Sequence, residues 1–219
     1  VPDGRGVTDL IRAKTMKQGG AGYVQPGSGS FPKMAEMNEF VLQCGALPTM
    51  TWLDGCSAGE EAIEELLEVA RSTGVVVFNI IPDRNYTPGT KDQKLTNLQK
   101  VVEICKDLNM PLLGGTEMNS PGQKFVDDFD SDELKPMHPY FLEGSRILHA
   151  HSTLQRLAGM GYLSPWSDDQ FASVAAKNEF YARFGEIFSP RGDEALQNDL
   201  TDSLGSREVI SLAERVMSA

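Results

Sequence analysis

Two periods of apolar residues alternate along this chain, and the switches between them mark out its elements. Short, nearly continuous apolar runs predict strands at residues 46–53 (ALPTMTWL), 75–81 (VVVFNII) and 111–117 (PLLGGTE), the pattern of strands buried on both faces. Residues 21–25 (AGYVQ) and the run RILHAHST around Ile147 read as two more strands. Between them apolar residues recur at spacings of three and four, which predicts amphipathic helices. Residues 31–44 carry Met34, Met37, Phe40, Val41 and Cys44 as a Met-rich buried face. Ser57 and Glu60 form a capping box that opens a helix to about Arg71, with Ile63, Leu66, Leu67 and Ala70 as its stripe. A helix over residues 93–108 turns Leu95, Leu98, Val102 and Cys105 inward. Ser167 and Gln170 make a second capping box opening a helix over 168–188, and a last helix covers 206–217. Residues 120–139, rich in Asp, Pro and Gly, form a connection long enough to be a lid or binding loop.

Strands alternating with helices specify an α/β fold with a parallel sheet. No Gly-rich dinucleotide or phosphate fingerprint follows any strand. Instead polar residues stand at the strand ends, among them Gln25, Asp54, Asp83 and Glu117, as on the catalytic rim of a (β/α) barrel. The reading is a parallel-strand (β/α) barrel-like domain over residues 1–190, followed by a C-terminal helical extension over 191–219. Five βα units are too few for a barrel of eight, so the opening strands are expected upstream of Val1 or in an unusual form. The chain begins Val1-Pro2 without an initiator Met and reads as a fragment or a processed product. An incomplete barrel exposes strand edges, which predicts association with the upstream part of its own polypeptide or a homo-oligomer.

Charge narrows the partners. A net charge of −11 and a pI near 4.7 exclude a nucleic-acid or anionic-membrane surface as the expected partner, leaving a small-molecule substrate. No apolar run reaches the roughly 18 residues of a membrane span. The three cysteines, Cys44, Cys56 and Cys105, lack paired spacing, which fits a reducing compartment and a cytoplasmic location.

The candidate site lies where strands end. Asp83, Arg84 and Asn85 follow the strand 75–81, and Glu117 and Asn119 follow the next. As a strand, RILHAHST would place His149 and His151 on one face, whereas as a helix it would set them about 200° apart. Carboxylates and imidazoles at strand ends suit Zn²⁺, Mn²⁺ or Fe²⁺, whose bound water becomes the nucleophile. Arg84 is placed to bind a phosphate or carboxylate, while Gln25, Asp54, Asn85 and Asn119 line the substrate. Plainer readings stand beside these: Asp83 and Arg84 as a turn and local ion pair, His151 as a hydrogen-bonded structural residue, His138 as a surface residue of the long loop.

The order of IPDRN, crossover helix and LLGGTEMN resembles the PHP-type (polymerase and histidinol phosphatase) metal-dependent hydrolases. The resemblance implies a distorted barrel holding a metal cluster, with Asp83 and Glu117 as metal ligands and His151 or His149 as a later histidine ligand. The function expected on it is a metal-dependent hydrolase, phosphoesterase or amidohydrolase-like, acting on a small phosphorylated or carboxylated substrate. Two alternatives remain open. One is a sugar isomerase, aldolase or lyase with Glu117 as base, and the other a degenerate barrel that binds a ligand or partner without catalysis.

Overall fold

A computed structural model of the chain describes residues 4–82, 91–118 and 125–218. The chain divides into two compact units, Val1–Met37 and Asn38–Ala219. In the first, α1 (Gly4–Thr15) ends in a fold-back: the Gly22 N–H donates to the Lys14 carbonyl at 2.8 Å and the Tyr23 N–H to the Gly20 carbonyl at 3.0 Å. Residues 21–25, expected as a strand, are therefore a turn followed by irregular chain. Gly19 has φ +87°, and a Cβ on Gly20 would lie 2.4 Å from the Ala13 carbonyl, so the glycines of this stretch make a reversal that a strand cannot contain.

The helix α2 (Met34–Gln43) forms where its period predicts, but its Met-rich face is not buried. Met34, Met37 and Phe40 are exposed. The buried residue is Asn38, whose Nδ2 donates to the Thr73 carbonyl at 2.8 Å. A polar contact to a helix end thus anchors α2, in place of the expected apolar stripe.

In the second unit, β1 (Thr49–Trp52), β2 (Val77–Ile80) and β3 (Leu112–Gly114) form an open parallel sheet in sequence order. Trp52 stands level with Ile80, and Ile80 with Gly114. The helices α3 (Ala58–Glu61) and α4 (Ile63–Ser72) connect β1 to β2, and α5 (Lys91–Asp107) connects β2 to β3, as parallel pairing requires. The described strands do not close into a barrel.

Helices cover both faces. On one face Trp52, Phe78, Ile80 and Leu112 pack with Ile63, Leu67 and Ala70 of α4 and Leu98, Val102 and Cys105 of α5. Burial pushes the Cys105 thiol up to about 12, so it is the small apolar residue its helical position predicts. On the other face Leu47 and Val77 join a helical core. It is built from α6 (His138–Ala158), α7 (Pro165–Gln170), α8 (Val174–Ile187), α9 (Asp193–Asp199) and α10 (Ser206–Ser218), and it includes Trp166, Tyr181, Phe184 and Leu212. The helices of 191–219 belong to the same compact unit as the sheet.

The expected strand around Ile147 lies in the middle of α6. Phe141, Gly144, Ile147, His151 and Leu154 are buried along one side of this 21-residue helix. Pro139 lies in its first turn, and Gly159 closes it at φ +68°. The expected helix over 168–188 is two helices, because Ser164 caps α7 and Ser173 caps α8 by accepting from the Ser167 and Ala176 N–H groups at 3.2 Å. No helix among the described residues is long and apolar enough to cross a membrane.

Two glycines set how closely the layers approach. A Cβ on Gly144 would lie 1.8 Å from the Leu112 carbonyl oxygen, and one on Gly185 of α8 would lie 2.1 Å from that of Arg146. Neither neighbour is a flexible side-chain end, so α6 must move off β3 or α8 to admit a methyl group. Gly144→Ala is therefore expected to lower unfolding free energy by about 2 kcal/mol or more, measured by urea denaturation. An exposed glycine such as Gly59, whose Cβ would meet nothing within 4 Å, serves as the control.

Candidate functional site at the carboxyl edge of the sheet

Parallel order brings the ends of β1, β2 and β3 to one edge. After β1 the chain turns through Asp54 and Gly55, which has φ +72°. Asp54 Oδ1 accepts from the Cys56 N–H at 3.1 Å, and Oδ2 pairs with Lys94 Nζ of α5 at 2.8 Å. Partial burial alone would raise the Asp54 pKa, but Lys94 and the Cys56 N–H hold it below the usual carboxylate value. Asn97 Nδ2 donates to the carbonyls of Asp54 and Gly55 at 3.1 and 3.2 Å, which ties the first turns of α5 to the rim. Slight desolvation and the Asp54 carboxylate raise the Cys56 pKa, so its thiol is not primed as a nucleophile.

Ser57 caps α3 as its sequence predicts, with its hydroxyl donating to Glu60 Oε2 at 3.2 Å. Glu60 reaches further back than a capping box requires: its Oε1 accepts from the Leu53 N–H at 2.7 Å. One glutamate thus closes both the helix start and the end of β1.

At the end of β3 the Gly115 N–H donates to the Ile80 carbonyl at 2.8 Å. Thr116 Oγ1 donates to Oδ2 of the buried Asp127 at 2.7 Å. Asp127, one of several acidic residues in the long connection, was not distinguishable from them by sequence; its hydrogen bond pins that connection to the strand end. Glu117 follows, half-buried. Asp83, Arg84, Asn85 and Asn119 lie outside the described residues, which resume at Lys91 after the first three and at Phe125 after Asn119. Lys91 at the start of α5 pairs with Glu133.

The remaining predicted site residues lie elsewhere. Gln25 is in the first unit, off any strand, where its Oε1 accepts from the Tyr23 hydroxyl at 3.0 Å. His149 and His151 share a helix rather than a strand, so they point to different neighbours. His149 Nε2 donates to the Phe188 carbonyl at 3.1 Å. His151 Nε2 donates to the Gly45 carbonyl at 3.0 Å, on the chain leading into β1, and its Nδ1 accepts from the Tyr162 N–H at 3.0 Å. Those two partners fix the neutral tautomer, and with both nitrogens in use His151 joins α6 to two loops. His138, expected on the surface of a loop, begins α6 and stacks on Phe129 with ring centroids 5.3 Å apart.

Among the described residues no group of three or more His, Cys, Asp and Glu side chains is arranged to hold a metal ion. No protein-family model, curated protein or solved structure matches the chain.

Burial lowers the His151 pKa below its ordinary 6.5, against the opposing effect of the Gly45 carbonyl. The unfolded chain therefore takes up this proton first on acidification. The stability contributed by neutral His151 is complete above pH 6.5 and is lost as pH falls toward the folded-state value. The gap in urea midpoint between the wild type and His151→Gln should be widest near pH 7.5 and narrow by about pH 5. A gap independent of pH would show that the histidine is not held neutral.

Proposed function

We propose that the carboxyl edge of the sheet is the active site of a hydrolase that acts on a small phosphorylated or carboxylated substrate, and that this sheet represents later βα units of a barrel-like fold. The observation that supports this most directly is the parallel order of β1, β2 and β3. It brings Asp54 and Glu117, which follow β1 and β3, to one edge, where ligands of parallel α/β folds bind, and the proposal assigns to the same site Asp83, which comes soon after β2 in the sequence.

The first turn of α5 supplies the attraction for an anion. Asn97 holds the start of this 17-residue helix against the rim, so the positive end of its dipole faces the same edge. Lys94 adds a cation there, partly balanced by Asp54. Arg84 is assigned to the anionic group of the substrate, Asn85 and Asn119 to its polar substituents, and Glu117 to accepting the proton of the attacking water.

The resemblance to PHP-type hydrolases implies a divalent metal. The described residues do not fit one, since the two histidines it would draw on lie on α6 and are bonded to the Phe188 and Gly45 carbonyls. The chemistry proposed here therefore falls to the chain's own side chains.

The test is turnover of a panel of phosphomonoesters and carboxylic esters by protein purified without chelator, with its metal content measured in parallel. Glu117→Gln is expected to lower kcat/KM by about 100-fold or more, the usual contribution of a positioned base, while leaving the melting temperature near that of the wild type. A wild type inactive on the whole panel, or a variant as active as the wild type, would reject the reading. Stoichiometric metal, lost in Asp83→Asn and Glu117→Gln, would return the metal cluster to the site.

A further inference from the structure

One polar side chain interrupts the central strand. Val77, Phe78 and Ile80 of β2 are buried and apolar, and Asn79 among them is half-buried. Alternation along the strand puts Asn79 on the face of Val77, level with Thr51 of β1 and Leu113 of β3. Thr49 and Thr51, on the same face of β1, are exposed, so the helical core that covers Val77 leaves the upper part of this face open beside Asn79.

Gly115 makes room for the amide. A Cβ at that position would lie 2.6 Å from Asn79 Oδ1 and 2.8 Å from Nδ2, so any side chain there would displace it. A carboxamide has two N–H donors and an oxygen with two lone pairs. Asn79 Nδ2 donates to Thr51 Oγ1 at 3.4 Å, its hydrogen bond among the described residues. Valine or isoleucine would suit a central parallel strand better. An amide at this position forgoes that packing, and such local conflicts concentrate at functional positions.

We infer that Asn79 is the floor of the carboxyl-edge site and binds a hydroxyl group of the substrate, its oxygen accepting from the O–H and its NH₂ donating to the hydroxyl oxygen, with Thr51 Oγ1 bracing the amide. This rests on the reading of that edge as an anion-binding enzyme site and narrows the substrate class: a small phosphate or carboxylate that also carries a hydroxyl group.

Paired probes that differ in hydroxyl content test it: propyl phosphate against glycerol 3-phosphate, and propionate against lactate, titrated calorimetrically into wild type, Asn79→Val and Asn79→Ala. In at least one pair the wild type is expected to bind the hydroxylated member about tenfold or more tightly, the scale of a satisfied hydrogen bond in a partly buried site. Both variants should bind the two members equally, with unchanged affinity for the plain anion. Asn79→Val should also raise the urea midpoint, which a purely structural asparagine would not allow; the alanine variant carries the binding test if the valine variant fails to fold. Equal binding of both members by the wild type, or a preference that survives in a folded variant, overturns the role of Asn79 and leaves the anion-binding edge standing. A wild type that binds no probe overturns the edge site and Asn79 with it.

Discussion

The second unit depends on how closely α6 lies against β3. Gly144 brings the helix backbone onto the Leu112 carbonyl, and Gly185 brings α8 onto α6 in the same way. Close packing of this kind gains dispersion contacts along both elements and leaves no depth for a methyl group. Other features follow from it. The space on the Val77 face is filled by helices, and the segment around Ile147 supplies the covering layer instead of a further strand. The two histidines of α6 are taken into its contacts with neighbouring loops.

Charges at the carboxyl edge are organised by contacts far apart in sequence. Lys94 compensates Asp54, Thr116 meets Asp127, and Lys91 meets Glu133. In an acidic chain this places cations from the first turn of α5 among carboxylates that would otherwise repel one another. Pairs as sheltered as Asp54 and Lys94 are held less by net attraction, which desolvation offsets, than by the cost of leaving either charge alone. The rim is therefore tied to neighbouring elements at β1 and β3, on either side of the central strand where Asn79 sits.

Much of this architecture was legible in the sequence. Strands β1 to β3, the Ser57 cap, the crossover α5 and the terminal helix α10 all lie within a few residues of where period and capping residues put them, because each combines a clear period with a defined end. The segment around His149 was misread because a short apolar run fits either period; only over the full span from Phe141 to Leu154 does the spacing of three and four emerge. For α2 the period was read correctly but not the partner, since an amphipathic face records what can be buried and not what covers it. In the candidate site, Asp54 and Glu117 were legible as strand-end residues. Their surroundings were not, because the pairing of Asp54 with Lys94 and the choice of Asp127 among many acidic residues are tertiary facts. Asn79 was visible as the lone polar residue of its strand, though its meaning depends on Gly115, which only the fold brings beside it.

The chain has two tryptophans, and the sheet separates them. Trp52 is buried among the residues of α4 and α5 with its indole N–H unpartnered among the described residues, whereas Trp166 is buried in the helical core on the other side and donates its N–H to the Leu204 carbonyl at 2.9 Å. Each layer thus contains one tryptophan in its own polar environment. Replacing either with phenylalanine leaves a tryptophan signal confined to the opposite layer, so that the assembly of the two faces of the sheet can be followed separately in time.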